Sequence, residues 1–281
     1  MASGPLRLRS VLYMPGANER ALTKARELPA DALILDLEDA VAPDAKAEAR
    51  ERVCEAAASG AYGERTVAIR VNGIGTEWHR ADVRAAAQAG PDAILVPKIS
   101  SAAEVLDTER AIADAGAPDR TALWAMLETP AAILNAAEIT ASSERLSVFV
   151  MGTNDLAKEL YAEHVGGREP LLASLSLCLL AARAAGKSIL DGVFNDVRDT
   201  AGFESECIQG RRLGFDGKTL IHPGQIEICN RAFSPSAEEV EHAHRVIEAF
   251  ELAGGGVVTV DGRMIENLHV ENARRVLALA G

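Results

Sequence analysis

The chain has 281 residues, 48% of them hydrophobic, and a mean hydropathy of +0.04, enough apolar material for a large buried core. Its 29 basic and 41 acidic residues give a formal charge of −12, which argues against a nucleic-acid binder, since DNA and RNA partners need a basic footprint. An anionic small molecule stays open, because a few placed Arg or Lys side chains suffice locally.

Short apolar runs alternate with Ala- and charge-rich helical segments along the chain. The candidate strands are SVLYMPG (10–16), ALILDLED (32–39), TVAIRVN (66–72) and AILVPKI (93–99). They continue with ALWAMLET (122–129), LSVFVMG (146–152), SILDGVF (188–194) and GKTLIHP (217–223). Between them lie segments such as PDAKAEARERVCEAAA and SAAEVLDTERAIADAG, each with apolar residues at helical spacing. Strands alternating with helices imply parallel pairing through right-handed crossovers. Eight such units in this length favour a (β/α)8 barrel of α/β class over a doubly wound sheet. No strand is followed by GxGxxG and no GxxxxGK[ST] occurs, which removes the commonest open-sheet nucleotide sites. The barrel is expected over 1–233. A C-terminal extension, 234–281, holds one long helix at 236–253 and a Gly run at 254–256, read as a hinge or a plain linker.

Cys54, Cys178, Cys207 and Cys229 are far apart and form no CxxC pair, so neither a cysteine zinc site nor a disulfide framework is expected. With no apolar signal segment in MASGPLRLRS and no membrane-length apolar run, the sequence suits a soluble, cytoplasmic protein. The run LLASLSLCLLAARAAG (171–186) reads as a barrel-packing helix.

In a (β/α)8 barrel the chemistry sits at the C-terminal ends of the strands. There this sequence places Glu38 and Asp39, Arg70 and Asn72, Lys98, Glu128, Asp155 in GTNDL, and His222. Carboxylates without a His or Cys cluster suit a hard cation, and Mg²⁺ takes one or two of them with waters and substrate oxygens. Glu128 and Asp155 are the candidate direct ligands, because both follow strongly apolar strands where an unpaired charge is costly. Glu38 and Asp39 are candidates to hold the waters of that ion. Asp36, deeper on the same side of its strand, reads as structural. The competing interpretation is that Arg70 and Lys98 merely pair with these acids and close the barrel mouth. No HExxH and no GxSxG context occurs, so zinc-protease and Ser-His-Asp chemistry are not indicated.

The motifs RSVLYMPG, ILDLEDAV, IRVNGIGT, ILVPK, LET, GTNDLA, DGVFND and GFDGKTLIHPGQI occur in this order. Together they resemble the citrate lyase beta-subunit-like branch of the HpcH/HpaI aldolase superfamily, which includes malyl-CoA and citramalyl-CoA lyases. The resemblance runs from about residue 7 to the end. It implies a barrel that is usually trimeric, or a dimer of trimers, with a C-terminal extension packing over a neighbouring subunit. It implies Mg²⁺, with Mn²⁺ able to substitute, on Glu128 and Asp155, and a substrate-binding arginine at Arg70. Coenzyme A, as part of a thioester substrate, is implied to meet Lys24, with Arg20 close by. The implied reaction is carbon–carbon cleavage of a 3-hydroxydicarboxyl-CoA to an acyl-CoA and an α-keto acid.

One departure stands out. Lyase relatives carry an Asp in the tail as general acid, supplied from the neighbouring subunit; here GRMIENLHV puts Glu266 there, one methylene longer. The IENLH tail and GTNDLAKEL resemble the malyl-CoA thioesterase members, which release malate and CoA. Thioester hydrolysis is therefore a close rival of the lyase reaction. A CoA-independent hydroxy-keto-acid aldolase, a Schiff-base aldolase on Lys98, and a subunit working only inside a larger complex are further alternatives.

Overall fold

A computed structural model describes residues 6–254 and 256–280. Two compact units divide the chain, one of Leu8–Ala232 and one from Phe233 onward together with Leu6 and Arg7. In the first, β1 (Ser10–Pro15), β2 (Ala32–Asp36), β3 (Thr66–Arg70), β4 (Ala93–Val96), β5 (Ala122–Leu127), β6 (Leu146–Met151), β7 (Ser188–Asp191) and β8 (Gly217–Leu220) close into a barrel in sequence order. All neighbouring pairs are parallel, β8 returning to β1. The sequence reading of a (β/α)8 barrel holds.

The connecting helices are α1 (Glu19–Lys24), α2 (Lys46–Ala58), α3 (His79–Ala89), α4 (Ala102–Asp114), α5 (Pro130–Leu134) and α6 (Ala136–Ala141). They continue with α7 (Thr153–Glu159), α8 (Leu172–Ala184), α9 (Thr200–Leu213) and α10 (Ile226–Phe233). Helix α8, the Leu/Ala-rich run, packs on α6 and β7 and buries Leu175, Cys178 and Leu179, as its composition suggests. No helix among the described residues is long and apolar enough to cross a membrane.

Strand parity decides which side chains fill the barrel. Successive residues point to opposite faces, so one set lines the interior: Val11, Ala32, Ile34, Ala68, Ala93, Leu95, Trp124, Met126, Val148 and Val150 pack there as one cluster, with Tyr13 against it. Continuing the same parity puts Asp36 after Ile34, Arg70 after Ala68 and Glu128 after Met126. The apolar layers thus give way to charge at the C-terminal end of the barrel.

Several strands stop before the expected position, β2 at Asp36 and β7 at Asp191. For β2 the cause is the Asp36 carboxylate, which accepts from the backbone N–H groups of Glu38 (2.9 Å) and Ala40 (3.2 Å) and turns the chain out of the sheet. Glu38 and Asp39 therefore lie on a turn above the strand rather than in it.

In the second unit, α11 (Ala237–Leu252) starts with a capping box between Ser236 and Glu239. A hairpin of β9 (Val258–Val260) and β10 (Arg263–Ile265) and then α12 (Asn267–Ala280) pack with it around Val246, Val260, Ile265, Val270 and Ala273. Gly254 and Gly256 both have left-handed φ, 71° and 92°; Gly255, the middle of the expected hinge, lies outside the described residues.

Candidate active site

At the C-terminal mouth of the barrel a cavity of about 300 Å³ is lined by Tyr13, Asp36, Asp39, Arg70, Glu128 and Asp155, among others. Its ionisable walls, Tyr13 aside, are four carboxylates and the Arg70 guanidinium, an excess of three formal negative charges. Such an excess favours a cation within hydrogen-bonding reach of substrate oxygens.

Arg70 is fixed first. Asp36 and Arg70 are register partners on adjacent strands, and the guanidinium forks onto the carboxylate: Nε donates to Oδ1 at 2.6 Å and Nη2 to Oδ2 at 2.7 Å. Its Nη1 forms an ion pair with Glu38 Oε2 at 2.8 Å, without hydrogen-bond alignment, and lies 3.5 Å from Asp39 Oδ2. The Tyr13 ring lies below, its centroid 4.7 Å from the guanidinium carbon. Burial opposes charge on Arg70, but Asp36, Tyr13 and Glu38 outweigh it and hold the group firmly protonated. Of five N–H donors, two are used by Asp36, one faces Glu38 and one reaches Met126 Sδ at 3.8 Å, which leaves one, on Nη2, for a ligand.

Glu128 follows β5 and is 1% exposed. Its Oε1 accepts from the backbone N–H of Lys98 at 2.8 Å, and among the described residues no side-chain cation pairs with it. Lys98 delivers that N–H from a left-handed backbone, φ 55°, a conformation costing on the order of 1–3 kcal/mol for a non-glycine residue. Gly152 makes the space: a Cβ there would lie 2.1 Å from Glu128 Oε2. Burial pushes the Glu128 carboxyl up to about 7, against the lowering influence of Lys98, with Glu38 and Asp155 adding to the rise. A deeply buried, cation-free carboxylate beside a second carboxylate is a donor set that fits a divalent ion. Asp155 stands in the first turn of α7, its side chain about a third exposed, and lines the same cavity. Among the described residues no group of three or more His, Cys, Asp or Glu forms a ready metal cluster, so a cation here would rest on the pair and on substrate or water oxygens.

Lys98 Nζ lies 3.1 Å from Glu38 Oε1 and 3.9 Å from Asp155 Oδ1. The interpretation that Arg70 and Lys98 close the mouth by pairing with acids thus describes Asp36, Glu38 and, at longer range, Asp39 and Asp155, and leaves only Glu128 of the mouth's carboxylates, among the described residues, without a partner of that kind. Burial lowers the Lys98 amine, but Glu38 and Glu128 more than compensate and keep it above its ordinary value. A protonated amine is the wrong state for Schiff-base chemistry. Glu38 uses both oxygens on Lys98 and Arg70, and burial, the largest influence, still leaves its carboxyl raised. Asp39 is exposed.

Arg20 and Lys24 are exposed, four residues apart on α1, and neither forms an ion pair among the described residues. Glu266 belongs to the second unit, half-buried just before α12, with its backbone N–H donating to His269 Nδ1 at 3.0 Å. His222 is exposed and caps the turn at Pro223–Gln225 by accepting from Gly224. Two contributors escaped the sequence reading. Parity with Val11 would have found Tyr13. Lys46 gives no such signal: a lysine opening a helix reads as solvated, yet it is 6% exposed and its Nζ donates to the carbonyls of Leu37 (2.8 Å) and Glu38 (2.7 Å), clamping the acidic turn.

The family model for HpcH/HpaI aldolase/citrate lyase matches residues 9–223. A protein named (3S)-malyl-CoA thioesterase from Cereibacter sphaeroides is 56% identical over 97% of this chain and 94% of its own length. Citrate lyase subunit beta of Escherichia coli is 40% identical over 97% of this chain and 93% of its own. Among solved structures, CitE from Mycobacterium tuberculosis in complex with magnesium, acetoacetate and coenzyme A superposes with a TM-score of 0.79 at 29% identity, covering 100% of this chain and 99% of its own. With the barrel and the arrangement of its mouth, these matches establish that the chain belongs to the HpcH/HpaI aldolase/citrate lyase family.

Proposed function

We propose that this protein is an Mg²⁺-dependent enzyme of malyl-type CoA thioesters that hydrolyses its substrate to malate and free CoA. The observation that carries the reading is Glu128, a buried carboxylate with no side-chain cation, paired with Asp155 in a cavity that also holds Arg70. The 56% identity to a (3S)-malyl-CoA thioesterase supports the acyl group and the hydrolytic outcome. Magnesium, or manganese in its place, would be held by Glu128 and Asp155 and would polarise the substrate oxygens it meets.

This chain's own residues supply the rest. Arg70, locked by Asp36 and stacked on Tyr13, offers its one remaining Nη2 N–H to the thioester carbonyl, where negative charge develops as water attacks; that charge is worth most to stabilise in a site with little water. Lys98 and Glu38 keep the acidic turn in place above it. Arg20 and Lys24, exposed beyond β1, are suited to the phosphates of CoA. Glu266 is assigned to proton transfer, reaching the barrel of a neighbouring copy in a trimer or dimer of trimers. The extra methylene relative to Asp shifts its carboxyl, and misplacement of about 1 Å costs on the order of a hundredfold in rate, which disfavours carbon–carbon cleavage.

Carbon–carbon cleavage to glyoxylate and acetyl-CoA is the second reading, favoured by the likeness to citrate lyase subunit beta. A CoA-independent aldolase of hydroxy-keto acids ranks third, since other branches of the family name cover aldolases. The purified chain with (3S)-malyl-CoA and Mg²⁺ should release free thiol, and EDTA, Glu128→Gln or Asp155→Asn should each abolish the release. Full activity in either variant would remove the cation from these two residues.

A further inference from the structure

The acidic turn above β2 is held from behind at a single backbone oxygen. The Leu37 N–H donates to the Arg70 carbonyl at 2.9 Å, which carries the β2–β3 ladder one residue past the end of β2. The Leu37 carbonyl accepts from Lys46 Nζ at 2.8 Å and from Asn72 Nδ2 at 2.9 Å. Buried Asn72 gives both its backbone N–H (3.1 Å) and its side-chain amide (2.6 Å) to Asp82 Oδ2, and Arg50 Nε donates to Asp82 Oδ1 at 2.6 Å. A chain of polar contacts thus runs from α2 and α3, outside the barrel, to the turn that carries Glu38 and Asp39.

Lys46 is the unusual member of this chain. Its ammonium is buried on two carbonyls, with the Trp78 ring 5.3 Å away, and it forms no ion pair among the described residues. A buried charge is normally paired, so this one needs a compensating gain. The gain lies in what the turn holds. Asp36 Oδ1 accepts from the Glu38 N–H at 2.9 Å and from Arg70 Nε at 2.6 Å, and Glu38 Oε2 lies 2.8 Å from Arg70 Nη1. A shift of the turn is therefore passed to the guanidinium at two of its nitrogens. Lys46 itself does not line the cavity and acts only through the turn. We propose that Lys46 is a positioning residue for the thioester reaction: together with Asn72 on the same carbonyl, it fixes the acidic turn and thereby the aim of Arg70. The assignment rests on the proposed reading in which Arg70 meets the thioester carbonyl.

Lys46→Met keeps the apolar stem and removes the ammonium, and Lys187→Met is its control. Lys187 also donates to two carbonyls, those of Ser143 and Leu146, but at the N-terminal ends of β6 and β7, opposite the mouth. The full-length proteins are compared by kinetics on (3S)-malyl-CoA with Mg²⁺, by thermal melting, and by ¹H–¹⁵N NMR of the Arg70 Nε–H without substrate, assigned from Arg70→Lys. Both variants should melt earlier. Only Lys46→Met should lose at least tenfold in kcat, with KM within threefold, and displace the Arg70 signal; Lys187→Met should keep kcat within twofold and leave the signal in place. Arg50→Met, at a half-buried position, loosens the same carbonyl through Asp82 and Asn72 and serves if Lys46→Met does not fold. It should displace the Arg70 signal and lower kcat at least threefold. An unmoved Arg70 signal in the variant that folds, a loss confined to KM, or an equal loss of kcat in Lys187→Met would overturn the assignment. A displaced signal in a protein that turns over no thioester would uphold the clamp and count against the thioester reading instead.

Discussion

Replacing Glu128 by Gln should inactivate the enzyme and at the same time make the cation-free protein more stable. The Glu128 carboxyl titrates near 7 in the folded state against a reference of 4.5, because burial disfavours its charge more than Lys98 favours it. Between those values the folded chain binds the extra proton, so stability falls as pH rises through that window and the loss is complete above about 7. The interval corresponds to about 3 kcal/mol. Gln keeps an acceptor for the Lys98 N–H and carries no charge. In urea unfolding with EDTA, Glu128→Gln should therefore exceed the natural protein by about 2–3 kcal/mol at pH 8, the difference vanishing toward pH 4.5. Mg²⁺ at a thousandfold excess over Kd should reverse the order at pH 8 by stabilising only the natural protein, by about 4.1 kcal/mol. A natural protein at least as stable as the variant at pH 8 in EDTA, or a difference independent of pH, would refute the reasoning.

Asp36→Asn leaves the Arg70 guanidinium buried with its forked partner gone, and urea unfolding should register a loss of about 3–5 kcal/mol. Gly152→Ala should weaken Mg²⁺ binding measured by calorimetry at least tenfold, since the new methyl displaces the Glu128 carboxylate; unchanged affinity would put the ion elsewhere. Apparent Mg²⁺ affinity should rise about tenfold from pH 6 to pH 8 as Glu128 gives up its proton, and a flat profile would contradict that. Arg20→Ala with Lys24→Ala should raise KM for the CoA ester roughly tenfold or more with kcat nearly unchanged and no change in melting temperature, as both residues are exposed.

Much of the barrel was legible because each strand is a short apolar run bounded by turns, and the period-two pattern that fills the interior also points Arg70 and Glu128 inward. The ends of strands were less legible. Asp36 reads in sequence as the deep end of an acidic run, yet its carboxylate both turns the chain out of β2 and forks onto Arg70, a role visible only once β2 and β3 are in register. Lys46 was hidden because long cations in polar-looking segments are usually solvated, and only tertiary packing buries this one. Gly152 likewise looks like a turn glycine, and its reason is the carboxylate seated against it.

Chromatographic identification of products from (3S)-malyl-CoA, Mg²⁺ and the purified chain, with a thiol reagent in one aliquot and an α-keto-acid reagent in another, tests the central claim most directly. Malate and free CoA in equal amounts, with no glyoxylate, is the predicted result. Glyoxylate with acetyl-CoA would contradict it, and would mean that Glu266 serves carbon–carbon cleavage despite its longer side chain.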